Sequence, residues 1–144
     1  MMSETRYGKY IIQGPIGKSV FKEVPAPQFN ISGERHLNGT NFTLGWSYLT
    51  EPFLMVDQAH THEFDQIICF MGGNPMDITE FDAEVELYLG DEQEKHIINS
   101  TSFCYIPKGL MHCPLNVKTI NKPIMFIDIV LAPRPDVRRI PESK

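Results

Sequence analysis

The chain has 144 residues, enough for one domain with a single hydrophobic core. Its formal net charge is −5, and no basic run exceeds the pair Arg138–Arg139, which excludes the positively charged surface that nucleic acids need. No segment approaches the roughly 20 apolar residues of a membrane-spanning helix.

The N-terminus and the cysteines indicate the compartment. The opening stretch MMSETRYGKY lacks the apolar core and the small-residue cleavage site of a secretory signal. The three cysteines, Cys69, Cys104 and Cys113, are odd in number and far apart, which favours free thiols over a disulfide framework. We therefore expect a cytoplasmic protein.

Short apolar runs bounded by Gly, Pro, Asn and Asp predict strands, because no stretch longer than about ten residues keeps a helical period. The alternation is clearest where Val85, Leu87 and Leu89 share one strand face. Many short strands at regular spacing predict an all-β fold, an antiparallel sandwich or barrel. The predicted strands are residues 10–12, 42–49, 53–56, 66–71, 83–89, 96–98, 102–106 and 124–131.

Three regions of the chain differ in composition. Residues 1–41 combine Pro, Gly and Asn, which predicts an N-terminal arm with edge strands. Residues 42–132 contain most of the predicted strands and form the predicted barrel domain. Residues 133–144 are polar and rich in proline, which predicts a C-terminal tail on the surface.

A pair of closely spaced histidines stands in the segment AHTHEFDQIICFMGG, residues 59–73. If the segment stays extended, His60, His62 and Gln66 lie on one face and Asp65 on the other, because strand residues alternate between faces. On these residues alone, a metal site and an ordinary set of half-buried strand histidines are both open.

A second segment, residues 102–116, contains a third histidine. A predicted strand is followed by Pro107, Lys108 and Gly109, a tight turn that can direct His112 back toward the earlier pair.

Together the two segments resemble the motifs of the cupin family. The first cupin motif is His-x-His, three or four residues, Glu, six residues and Gly; here His60, His62, Gln66 and Gly73 have that spacing. The resemblance covers about thirty residues of the chain.

The second cupin motif is Pro-x-Gly, two residues, His, three residues and Asn. Pro107, Gly109, His112 and Asn116 match it.

Three positions depart from the family pattern. Leu54 and Thr101 replace the glycines that usually open the two motifs, so the shape of these loops differs from the family's. Gln66 stands where the family usually has a glutamate ligand.

The resemblance implies a double-stranded β-helix (a jelly-roll barrel) that holds one divalent transition metal per chain. His60, His62 and His112 carry over as metal ligands, and Gln66 can add its carbonyl oxygen. Sites of this kind accept Mn, Fe, Ni or Zn. Two alternatives remain for Gln66: it hydrogen-bonds a metal-bound water, or the site is empty.

Several other side chains are candidates for the cavity or its mouth. Trp46, Tyr48 and Lys108 can reach it, although a plain structural role is open for each. Alternation predicts that about half of the remaining large apolar residues turn inward; these are Phe64, Phe70, Met71, Phe103, Tyr105, Met111, Met125 and Phe126.

The remaining polar residues have ordinary structural roles as their simplest interpretation. Cys113 points away from the metal if the chain is extended there, and is then an inert buried thiol. His36 and His96 lack a spaced partner and are expected on the surface. Asp65 either orients a ligand imidazole or is a solvated carboxylate.

Two functions fit this reading. The first is a metal-dependent enzyme acting on a small organic molecule, with dioxygenase-like or isomerase/lyase-like chemistry. The second is a non-catalytic module that binds or senses a small molecule. We also expect a homodimer, in which the arm of residues 1–41 covers the partner's sheet edge.

Overall fold

Apolar and β-branched residues form twelve strands in the part of the chain that the computed structural model describes, residues 5–134 and 140–141. The two other elements are a short 3-10 helix, Gly8–Tyr10, and a one-turn helix α1, Gly33–His36. The strands are β1 (Ile16–Gly17), β2 (Gln28–Ser32), β3 (Thr43–Leu49), β4 (Phe53–Val56), β5 (His60–Thr61), β6 (Gln66–Met71), β7 (Ala83–Leu89), β8 (Glu94–Ile98), β9 (Ser102–Ile106), β10 (His112–Ile120), β11 (Ile124–Val130) and β12 (Ile140–Pro141).

The strands form two antiparallel sheets that pack face to face. Sheet A has the order β1-β2-β3-β11-β6-β9, and sheet B has the order β12-β5-β10-β7-β8, with β4 also paired to β10. Among the described strands no pairing joins one sheet to the other, so the sheets form a jelly-roll sandwich without closing into a continuous barrel. The predicted all-β, jelly-roll class is confirmed.

The hydrophobic core lies between the two inner faces. Leu49 and Phe70 from sheet A meet Val85, Leu87 and Leu115 from sheet B, and each of these side chains is at most 2% exposed. Full burial of one such side chain contributes about 1.5–3 kcal/mol. The predicted face of β7 is therefore the core face, and it fixes which side of sheet B turns toward the functional site.

Four predicted strands, β4, β6, β7 and β9, have the boundaries that the sequence indicated. The prediction of a strand at residues 10–12 is wrong, because Gly8–Tyr10 forms a 3-10 helix and Ile11 is exposed. Strand β10 was missed because Pro114 interrupts the apolar alternation, and the register with β7 shifts there.

The N-terminal arm is partly built into the sandwich. β1 pairs with β2, and β2 pairs with β3 of the same chain, so the segment extends sheet A. The three-region division of the chain stays a prediction. Its outermost parts, residues 1–4, 135–139 and 142–144, lie outside the described residues.

Within residues 5–134 and 140–141, no helix has the length and apolar character needed to cross a membrane.

Candidate metal centre

Three histidines converge at one end of sheet B. His60 in β5 is the direct register partner of His112, the first residue of β10, and His62 follows two residues after His60. Ring centroids are 4.4 Å apart for His60 and His112, 4.7 Å for His60 and His62, and 5.0 Å for His62 and His112. One ring nitrogen from each lies within 4.8 Å of the others. The sequence prediction that the two motifs bring these side chains together is confirmed.

Hydrogen bonds to the backbone set the tautomer of two of the rings. Nδ1 of His60 is 3.0 Å from the carbonyl oxygen of Gln58, and Nδ1 of His112 is 2.9 Å from that of Leu110. A carbonyl oxygen only accepts, so Nδ1 carries the proton in both rings. Nε2 then keeps the lone pair that a metal ion requires, and the ring orientation is fixed before any metal binds.

The predicted turn before His112 ties the two motifs together. Gly109 has a φ of +86°, a conformation that glycine adopts without strain, and its N–H donates to the carbonyl of His62 at 3.1 Å. The N–H of Lys108 donates to the carboxylate of Asp65 at 2.8 Å. Asp65 therefore secures the turn, a role that neither sequence interpretation anticipated.

Gln66 approaches the histidines from the opposite sheet. It is the first residue of β6 in sheet A and is 6% exposed. Its Nε2 donates to Asp128 Oδ1 at 2.8 Å, while its Oε1 is buried and accepts no hydrogen bond from the described residues. A buried oxygen without a partner is costly, and a cation would relieve that cost. The amide is thus oriented with its nitrogen on Asp128 and its oxygen available to a ligand.

The expectation that His60, His62 and Gln66 share one strand face is wrong. β5 ends at Thr61 and β6 begins at Gln66, so the chain leaves sheet B and enters sheet A between them. The alternation rule does not apply across that crossing, and the residues converge because they line one cavity from two sides.

Asp128 is the site residue that sequence reasoning missed. It lies on β11, and its register partners are Gly45 in β3 and Ile68 in β6. Burial raises the pKa of its carboxyl group, and the hydrogen bond from Gln66 acts in the opposite direction. In the sequence, the feature that could have indicated this role is a single acidic residue inside the otherwise apolar strand β11.

The cavity between the sheets has a volume of about 1110 Å³ and contains both the histidines and the Gln66–Asp128 pair. Phe64, Ile68 and Phe126 give it apolar walls. Asn30 and Thr43 add hydrogen-bonding groups on the side of sheet A. About half of the lining residues are polar or charged, Arg35 and Arg134 among them, so the cavity can contact both apolar and polar parts of a small molecule.

His36 also lines this cavity, contrary to the expectation that it lies on the surface. Its side chain is half-buried, and its Nδ1 accepts a hydrogen bond from the N–H of Ser32 at 3.0 Å. No motif spacing predicts this position for His36, because its contact with Ser32 depends on the local turn of α1. His96 is exposed as expected and pairs with Glu94 at 2.7 Å.

The backbone decides three further predictions, those for the side-chain directions of Trp46, Tyr48 and Cys113. Trp46 and Tyr48 alternate with the buried Ser47 and Leu49, so they lie on the outer face of sheet A and do not reach the cavity. Cys113 has a φ of +83°, so the chain is not extended there, and this buried residue lines the cavity.

Three of the eight large apolar candidates turn inward and four turn outward, close to the half that alternation predicted. Phe64, Phe70 and Phe126 contribute to the cavity or the core. Phe103 and Tyr105 are the clearest outward cases, at 69% and 62% exposed.

Comparison with known proteins supports the fold and leaves the family open. The sequence matches no family model, and no curated protein is similar to it in sequence. Oxalate decarboxylase from Bacillus subtilis has a similar structure, with a TM-score of 0.57 and 10% identity over 90% of this chain. The match covers 30% of the oxalate decarboxylase chain.

The polyketide cyclase RemF from Streptomyces resistomycificus is also similar in structure, with a TM-score of 0.56 and 16% identity. That match covers 100% of this chain and 89% of the cyclase. At such low identities the likeness establishes the jelly-roll fold alone.

Proposed function

We propose that the protein is a cupin that binds one divalent transition metal per chain and acts as an enzyme on a small organic molecule. The observation that carries the proposal is the convergence of His60, His62 and His112 beneath a large cavity, with two of the rings held in the metal-binding tautomer. The two motifs with cupin spacing support the same assignment.

Gln66 supplies the fourth ligand in this proposal. Its orphaned Oε1 is the atom that fits a cation, and its Nε2 is already committed to Asp128. Imidazole nitrogens and an amide oxygen accept Mn, Fe, Ni or Zn. A metal bound here would act as a Lewis acid toward a carbonyl or carboxylate oxygen. A neutral glutamine leaves the site one unit more positive than a glutamate would, which favours an anionic oxygen donor.

The cavity indicates the size of the substrate. Small-molecule pockets usually measure about 300–1,000 Å³, and this cavity, at about 1110 Å³, exceeds that range because it includes an open mouth lined by exposed residues such as Val20. Oxalate, a two-carbon diacid, would fill little of it. A substrate with several rings and oxygen substituents, of the class that a polyketide cyclase handles, matches both the volume and the mixture of apolar walls with amide and hydroxyl groups.

The chain's own residues would orient such a substrate. Phe64 and Phe126 offer apolar surfaces for rings, and Asn30 and Thr43 offer hydrogen bonds to oxygen substituents. Asp128 is a carboxyl group inside the cavity, close enough to Gln66 to hold its amide. Reaction type, whether dioxygenase-like or isomerase/lyase-like, depends on the substrate.

Metal analysis tests the first half of the proposal. The protein, purified without added metal, is incubated separately with Mn, Fe, Ni and Zn, dialysed, and subjected to elemental analysis. We expect about one metal per chain, retained in the matched control His96→Ala and lost in His112→Ala. Equal, negligible metal in all three proteins contradicts the proposal.

A turnover assay tests the second half. The metal-loaded protein is incubated with oxalate and with a panel of multi-ring polyketides, and products are followed by mass spectrometry. Metal-dependent turnover of a multi-ring compound supports the enzyme. Binding of the same compound by calorimetry without turnover favours the non-catalytic binding module instead.

A further inference from the structure

The outer face of sheet A is apolar across its whole width. The strand register places Phe29, Trp46, Ile127, Cys69 and Phe103 side by side on five neighbouring strands, β2, β3, β11, β6 and β9. Cross-strand neighbours in register point to the same side of a sheet. This line of residues therefore forms one continuous strip on the side away from the core.

Parallel lines on either side extend the strip. One line contains Leu44, Ile129, Ile67 and Tyr105. The other contains Tyr48, Met125 and Met71. None of these residues carries a charge. We call the three lines together the apolar face.

The apolar face has a trough between two aromatic ridges. Phe103 and Tyr105 on β9 are 69% and 62% exposed, and Trp46 and Tyr48 on β3 are 36% and 42% exposed. Cys69, between the ridges, is only 2% exposed. Side chains that stand high at both sides and low in the middle give a surface into which a ridge of the same shape can pack.

The four ridge residues supply about half of the area that a standard interface buries on each partner, and the residues between them extend it. Each aromatic side chain has about 150–250 Å² of surface, so the exposed fractions of the four ridge residues leave roughly 400 Å² of apolar area. The partly exposed aliphatic residues between them add to this. A monomer's largest apolar patch is about 300–600 Å², and a standard interface takes about 800 Å² per partner.

We propose that the apolar face is the interface between two copies of this chain. The face has no charged residue with which to recognise a charged partner. A second copy, related by a two-fold axis, presents the same apolar strip. The β9 ridge of one copy lies in the trough of the other, and the sheets stack face to face. The N-terminal arm then contributes through β2, which extends the apolar face of its own chain, and not by covering the partner's sheet edge.

Light scattering during size-exclusion chromatography tests this assignment. At tens of micromolar, the parent is expected at twice the 16.5 kDa of one chain. The double variant Phe103→Lys/Tyr105→Lys is expected at the monomer mass, with an unchanged circular dichroism spectrum. The matched control Ile97→Lys changes a residue that is 45% exposed on β8 of sheet B and is expected to stay dimeric.

Trp46, the only tryptophan, provides a second readout in the unmodified protein. Dilution of the parent should shift its emission to longer wavelength as the dimer dissociates, and the double variant should show the shifted emission at every concentration. A parent that is monomeric, or a double variant that remains dimeric, overturns the proposal. A monomeric parent that binds phosphatidylcholine vesicles also overturns it, because the apolar face would then be a membrane-binding surface.

Discussion

The two sheets of the sandwich have opposite outer faces. On sheet B, Glu86 accepts a hydrogen bond from Asn116 at 3.2 Å and forms ion pairs with Lys95 at 3.2 Å and Lys118 at 3.5 Å. On sheet A, the apolar face has no charged residue in the three lines that define it. A charged network is well solvated in water, whereas a broad apolar strip is typical of an interaction surface. In the proposed dimer, only the outer face of sheet B remains in contact with solvent.

The inner faces differ as well. Sheet B supplies His60 and His112, the loop after β5 supplies His62, and sheet A supplies Gln66 and Asp128. In the proposed centre, the nitrogen ligands therefore come from sheet B and the loop beside it, and the oxygen ligand comes from sheet A. Gln66 is the link through which the metal would connect the sheets, and the following experiments measure how unequal the two contributions are.

The largest expected effect is the difference in metal affinity between loss of a histidine and loss of Gln66. His62→Ala should lower metal affinity by more than about 100-fold, and Gln66→Ala by about tenfold, because loss of a ligand imidazole exceeds the 10–100-fold typical of supporting residues. Competition titration with a metal indicator measures both. If Gln66→Ala binds metal as the parent does, Gln66 does not contact the metal and sheet A contributes only the cavity wall.

Gln66→Glu changes the charge of the oxygen ligand that sheet A contributes in the proposed centre. An anionic oxygen should raise metal affinity about tenfold, the equivalent of about 1.4 kcal/mol. Without metal, however, the new carboxylate faces Asp128 at hydrogen-bond distance, and two carboxylates there repel each other. Thermal unfolding should therefore show a larger metal-induced rise in Tm than in the parent.

The double variant Gln66→Glu/Asp128→Asn is the control for this effect. An asparagine at position 128 can donate to the new carboxylate, so the Tm of the metal-free protein should recover. No difference between the single and double variants would contradict the contact between these two side chains.

Asp128→Ala tests whether sheet A positions its own ligand. Removing the acceptor of the Gln66 amide frees the side chain to rotate, and metal affinity should fall about tenfold, the lower end for a supporting residue. Asp128→Asn keeps an acceptor oxygen and should retain most of the affinity. The same titration measures both, and equal losses in the two variants would assign the effect to the lost charge.

The smallest expected effect concerns the outer face of sheet B. The hydrogen bond from Asn116, followed by that from Lys95, lowers the pKa of Glu86 from its usual 4.5. A lowered folded-state pKa contributes stability above pH 4.5, and that contribution is lost as the pH falls through the folded value. Glu86→Gln should therefore lose less stability than the parent between neutral pH and about pH 3.

Urea unfolding at the two pH values measures this difference. The matched control is Glu92→Gln, an exposed glutamate in the turn after β7, which should behave like the parent. Identical pH dependence in all three proteins would show that the network on sheet B does not stabilise the fold.

The sequence predicted the sandwich and the cluster of three histidines because both depend on short-range patterns. Alternation located β6 and β7, and the spacing of the two motifs brought His60, His62 and His112 together. The sequence could not assign Asp128 or His36 to the cavity. The position of Asp128 depends on long-range strand register, and that of His36 depends on a local turn. Alternation also failed where the chain crosses between sheets, which is why Gln66 lies opposite the histidines.

Strand order also has a consequence for synthesis on the ribosome. β10, at the centre of sheet B, pairs with β4, β5 and β7, and β11, at the centre of sheet A, pairs with β3 and β6. Both central strands follow these partners in the chain, so sheet B lacks its central strand until Ile120 has been translated, and sheet A until Val130 has been translated. Until then β3, β6 and β7 each lack one of their two sheet neighbours and are open to association with other nascent chains. Assembly of this protein is therefore a late, concerted event, slow in the manner of folds that depend on distant strand pairings.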